Sequence, residues 1–145
     1  QRDHWAEVYY SVSARGVVRG MHLQRPPDDH VKAVNCVAGA AVDVILDVRS
    51  GSATEGAHAV VDLSGGTATL VVIPPGCAHG FQALVDDTVM LYMVSSVHSP
   101  AADSGVRFDS FGYEWPLDAV AVSERDLGLP TWPDFRDEAV EGWRT

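Results

Sequence analysis

The chain is broken into short runs of strand-forming residues, none long enough to carry a helical stripe across several turns. AEVYYSVS, GVVRGMHLQ, HVKAVNCV, AAVDVILDV, AHAVVDLS, TATLVVIP, GFQAL and TVMLYMVSS follow one another, with valine the commonest member. β-branched residues fit a pleated surface better than a helix. The gaps hold turn formers: AG at 38–39, SGG at 64–66, PPG at 74–76 and DD at 86–87. Short strands at roughly 8–12-residue spacing predict an antiparallel sandwich or small barrel. In DVILDV the pattern alternates imperfectly, with Val42, Val44 and Leu46 on one face and Asp43, Ile45 and Asp47 on the other.

Beyond residue 122 the texture changes. SERDLGLP offers Ser123 as a helix N-cap and a proline stop, and PDFRDEAVEGW reads as a short helix with early acidic residues. The fold class expected is therefore all-β with a short helical C-terminal tail. At 145 residues, 46% of them hydrophobic, the chain is one domain, 1–145, with enough apolar surface for a core.

Charge narrows the partners. The net charge is −10, so a phosphate backbone is repelled as a bulk partner, although a few local cations can hold a small anion. No apolar run reaches the ~18 residues of a membrane span, and no basic segment followed by an apolar one marks a secretory signal. Cys36 and Cys77 form neither a CxxC pair nor a disulfide framework, which predicts a reducing, cytoplasmic setting.

The stretch VVRGMHLQ departs from ordinary strand chemistry by placing Arg19, Gly20 and His22 in an apolar run, followed by Lys32, the single lysine. Arg19 and His22 are three apart, so strict alternation sends them to opposite faces. Glycine within a strand often marks a bulge that restores a shared face. Regular pairing is therefore predicted to break near Gly20. Taken singly, His22, His79 and His98 read as surface or satisfied core histidines, Lys32 as a solvated strand residue and Asp126 as a first-turn helix acid.

In combination these segments say more. IPPGCAHGF has the PxGxxH spacing of a cupin second motif. With SVSARGVVRGMHLQ, SPAADSGVRFDSFGYEWP and SERDLGLP in this order, the chain resembles the dTDP-4-dehydrorhamnose 3,5-epimerase family from about residue 5 to 132. The resemblance implies a cupin-type jelly roll, usually a homodimer, acting on dTDP-4-keto-6-deoxy sugars without metal or organic cofactor. Inversion beside a ketone needs a base on one face, stabilisation of the enolate oxygen, and an acid on the other face. By position, His22 is then the base, Asp126 the carboxylate orienting it, and Lys32 the cation near the enolate. Arg19 is a phosphate partner, and Gln24 and His79 line the substrate site.

The departures are equally specific. The resemblance implies a tyrosine acid two residues before a proline, and here that position is His98, in VHSP. A phenol, pKa about 10, keeps its proton at pH 7, whereas an imidazole largely does not. Three expectations follow: His98 donates as an imidazolium, only one carbon is inverted, or epimerisation is lost. Glu7 and Tyr9 occupy substrate-binding positions where a glutamine and an asparagine are expected. A carboxylate at Glu7 disfavours a diphosphate beside it, so the substrate sits differently or has another carrier. Two rival functions stand beside epimerisation. A metal-dependent cupin oxygenase or isomerase needs an HxH and a glutamate, and the first motif holds only His22. A non-catalytic sugar-binding cupin fits the changes at 7, 9 and 98, but does not require a base, a carboxylate and a cation together.

Overall fold

A computed structural model describes residues 4–138. Two antiparallel sheets face each other. Strands β1 (Glu7–Ser13), β3 (Lys32–Ala38), β6 (Val71–Ile73) and β8 (Thr88–Val94) form one, in the order β1-β8-β3-β6. Strands β2 (Val18–Gln24), β4 (Ala40–Asp47), β5 (His58–Ser64), β7 (Cys77–Ala83) and β9 (Asp103–Gly105) form the other, in the order β5-β4-β7-β2-β9. Short β9 is the strand that the run pattern did not announce. At Gly39 the chain passes from β3 directly into β4 with φ +78, a turn that side-chain-bearing residues rarely make.

Each sheet buries its inner face by alternation. Val34, Cys36, Ala41, Phe81, Met90 and Tyr92 close one core between the sheets. Phe81 is 1% exposed, and burying such a side chain contributes about 1.5–3 kcal/mol. The outer face of the five-stranded sheet is covered as well. Met21, Val44, Leu46 and Val106 pack there under Phe111 and Phe135, with Tyr113, Trp115 and Trp132 at the margin. That covering explains the imperfect alternation of β4, because both of its faces are interior. Trp115 Nε1 donates to Phe108 O at 2.9 Å, so these aromatics act here as packing.

The C-terminal segment makes this cover. Helix α1 (Glu124–Leu127) starts where Ser123 Oγ accepts from the Asp126 N–H at 3.1 Å, and α2 (Trp132–Asp137) starts at Thr131. The helix expected over 133–143 thus begins one residue earlier, and its later part, with Trp143, lies outside the described residues. Arg25 fastens α2 by pairing with Glu138 and lying 5.2 Å over the Phe135 ring.

The break near Gly20 is present. Arg19 pairs with Phe81 and His22 with His79, so three residues of β2 span two of β7. That extra residue puts Arg19 and His22 on the same face of the sheet.

Candidate active site

His22 lies on the inner wall of the five-stranded sheet and meets α1. Its Nε2 is 2.6 Å from Asp126 Oδ1. The second oxygen, Oδ2, accepts the Gly20 N–H at 3.0 Å, so the bulge and the acid hold each other. Asp126 is only 2% exposed. Burial raises its pKa, but the His22 hydrogen bond and charge, the Gly20 N–H and Arg125 together bring it below the usual carboxylate range. The acid is therefore ionised and only accepts. Nε2 carries the proton in that bond, which leaves Nδ1 with the lone pair.

Burial is also the largest influence on His22 and lowers its pKa. The hydrogen bond to Asp126 and that acid's charge oppose it, while Arg125 and Lys32 reinforce it. At neutral pH the ring is neutral and able to take a proton, and an imidazolium formed there has a carboxylate beside it.

Lys32 opens β3 in the facing sheet and is 8% exposed. Burial pulls its pKa down to about 8, with Asp43 and Asp103 opposing the shift. It remains an ammonium at pH 7, inside a cavity where charge is weakly screened. Lys32, His22, Tyr9 and His98 line one inner cavity of about 130 Å³. An outer cleft of about 550 Å³, lined by Glu7, Tyr9, Gln24, His30 and His98, shares several of these walls. A third hollow, about 370 Å³, brings Arg19 beside His22 and Asp126 on the α1 side.

The other expected residues take definite places. Arg19 Nε donates to Ser13 Oγ at 3.0 Å, across to the other sheet. Buried His79 pairs with Asp43, Nε2 to Oδ2 at 2.8 Å, and meets Tyr92 edge-on. Gln24 has its amide largely engaged by the protein: Nε2 donates to Asp28 O and Oε1 accepts the Ser99 N–H, both at 2.7 Å. It therefore holds the loop that carries His98, as well as lining the cleft. Glu7 accepts the His98 backbone N–H at 3.0 Å, and Tyr9 stacks on Tyr92 at 4.8 Å.

Three members of the site were not anticipated. Asp43 is fully buried, and its Oδ1 has no hydrogen-bond partner among the described residues. Its signal was an acid inside the apolar run of β4. Arg125 lies with Nη1 3.1 Å from His22 Nε2 and grips both oxygens of Asp103, the third, through Nη2 at 2.7 and 2.6 Å. Among the described residues no three His, Cys, Asp or Glu side chains gather as a metal-ion ligand set.

The family model for dTDP-4-dehydrorhamnose 3,5-epimerase matches residues 1–134. A dTDP-4-dehydrorhamnose 3,5-epimerase of Mycolicibacterium smegmatis is 39% identical, over 86% of this chain and 68% of that protein. A 4-keto-6-deoxy sugar epimerase from the novobiocin biosynthetic gene cluster of Streptomyces spheroides superimposes with a TM-score of 0.90 at 34% identity, covering 94% of this chain and 69% of the other. A 3'-monoepimerase from Streptomyces bikiniensis, solved with dTDP-quinovose, gives 0.84 at 36% identity, over 89% and 67%. The two sheets are thus the cupin-like jelly roll of these enzymes, and the chain belongs to the dTDP-4-dehydrorhamnose 3,5-epimerase family.

Proposed function

We propose that this protein is an isomerase acting on a dTDP-linked 4-keto-6-deoxyhexose, inverting carbon 3, carbon 5 or both through an enolate. The observation that carries this reading is the His22–Asp126 pair at 2.6 Å, with Lys32 on the wall of the same cavity. His22 removes the proton beside the ketone, Asp126 steadies the imidazolium, and Lys32 faces the charge that develops on oxygen. Arg19 and Arg125 supply cationic character next to His22, which suits a diphosphate despite the acidic chain as a whole. The match to a relative solved with a dTDP-sugar supports the carrier.

Pairing of two copies is supported by β1. Val8, Tyr10 and Val12 alternate on its outward face and are 60%, 69% and 50% exposed. Apolar rows of this kind on an edge strand favour burial against a second copy. Among the described residues no helix is long and apolar enough to cross a membrane. Both cysteines are free, which suits a reducing cytoplasm.

Incubation with dTDP-4-keto-6-deoxyglucose in deuterated water tests the reading. Deuterium entering at carbon 3, carbon 5 or both is the expected result; its location names the carbon deprotonated, and the configuration of the labelled sugar says whether that centre is inverted. Binding without exchange at either carbon would assign the cavity to a sugar-binding module instead.

A further inference from the structure

Inversion needs a second proton carrier, on the face of the enolate turned away from His22. Few cavity side chains qualify. Arg125 does not release its proton, and the Gln24 amide is no acid. The Lys32 ammonium is committed to the enolate oxygen. An imidazole, with an ordinary pKa of about 6.5, is mostly without its second proton at pH 7, whereas a phenol is fully protonated there.

Tyr9 is the phenol that lines both the inner cavity and the outer cleft. It sits on β1 of the four-stranded sheet, while His22 sits on β2 of the sheet opposite, so the two reach the cavity from facing walls. The Tyr9 ring is fixed by near-parallel stacking on Tyr92, with centroids 4.8 Å apart and planes at 18°. Tyr92 is in turn held by a 2.9 Å hydrogen bond between its hydroxyl and Ser11 Oγ. Burial and then the charge of Glu7 raise the Tyr9 pKa, which keeps its proton in place until a strong base arrives. His98 is exposed on a loop that follows β8, whereas Tyr9, though 44% exposed, is carried by a strand and held by its stacked neighbour.

We infer that the Tyr9 hydroxyl, rather than the His98 imidazole, delivers the proton that completes inversion. This rests on the epimerase reading above. His22 Nδ1 takes the ring C–H proton, and the C–H electron pair forms the enolate beside Lys32. The Tyr9 O–H bond then breaks, its proton bonds to the same carbon from the other side, and the ketone re-forms. The phenolate regains a proton from water, and His22 loses its own to water, so the enzyme returns unchanged.

The test separates exchange from inversion. Without the acid, His22 still removes the proton and returns a deuteron to the same face, giving labelled substrate of unchanged configuration. Tyr9→Phe in deuterated water is therefore expected to lower inverted product by about 10²–10⁴-fold, the usual contribution of a positioned acid, while labelling with retention falls far less. Persistent labelling also reports that the variant is folded. Equal loss of labelling and inversion would reduce Tyr9 to a packing or binding residue and overturn the inference. So would a larger separation of the two in His98→Gln than in Tyr9→Phe, which would give the proton to His98. If the unsubstituted protein labels neither carbon, the epimerase reading falls first and takes this assignment with it.

Discussion

Gly20 and Gly80 lie so close across the β2–β7 pair that a Cβ on Gly20 would stand 2.5 Å from the Gly80 Cα. The same Cβ would be 2.7 Å from the His79 carbonyl oxygen, and Gly20 has φ +125. Neither constraint can be met by a residue with a side chain without moving β2. Gly20 also gives its N–H to Asp126, so the movement reaches the site. Gly20→Ala is expected to cost roughly 2–3 kcal/mol of stability and to lower turnover at a temperature where the variant is still folded. Thermal unfolding measured beside initial rates checks both effects.

Removing charge on either side of His22 should move its titration in opposite directions. Arg125 lowers the His22 pKa and Asp126 raises it. As the proposed base His22 works unprotonated, so activity is expected to rise as pH climbs through that pKa, which burial holds below the ordinary value. Arg125→Gln is expected to shift the acid limb of kcat/KM to higher pH. Asp126→Asn should shift it lower and reduce kcat by about 10²–10⁴-fold, because the neutral amide neither stabilises the imidazolium nor fixes its tautomer. A pH–rate profile for each variant gives the direction directly.

Lys32 sets function against stability. With its pKa lowered to about 8, the ammonium is lost as pH rises through 8, and turnover should decline over that interval. For stability the sign reverses. Between about 8 and the ordinary 10.5 the unfolded chain binds the proton that the folded one has released, so Lys32's contribution to stability improves as pH rises. Lys32→Met is expected to abolish most activity yet to unfold at higher denaturant than the parent at pH 7. The gap between the two should narrow toward pH 10, as read from urea midpoints at each pH.

The apolar row on β1 predicts association. Tyr10→Glu places a charge in the middle of Val8, Tyr10 and Val12, none of which lines the inner cavity that Tyr9 faces. Sedimentation is expected to show a dimer for the parent and a monomer for the variant at micromolar concentration. A monomeric parent would remove the homodimer from the proposal.

How much of this was legible in sequence depends on the distance over which each fact is fixed. Strands came through because alternation and turn residues are local. The bulge came through because a glycine between two polar residues three apart leaves few other ways for both to face inward. Asp126 was recovered only by resemblance, since nothing near it in the chain tells of a partner 104 positions away. Asp43 carried a real signal, an acid amid valines, that reads equally as a solvent-facing residue until β4 is known to be covered on both sides. Arg125 carried none, because a charged residue between a cap and an acid is the ordinary surface of a short helix. An acid's role for His98 rests on its place in a motif, whereas the inference for Tyr9 rests on facing walls and a stacked ring, which are visible only in three dimensions.

The carboxylate beside His22 arrives with the C-terminal cover, not with the barrel. A molecule whose cover has peeled back would still present walls, cleft and ammonium to a passing sugar, yet its imidazole would lack the counter-charge needed to hold a stolen proton. Such a half-dressed molecule loses Arg125 together with Asp126, so its hold on the sugar weakens while its chemistry stops, and turnover reports on whether the cover is seated.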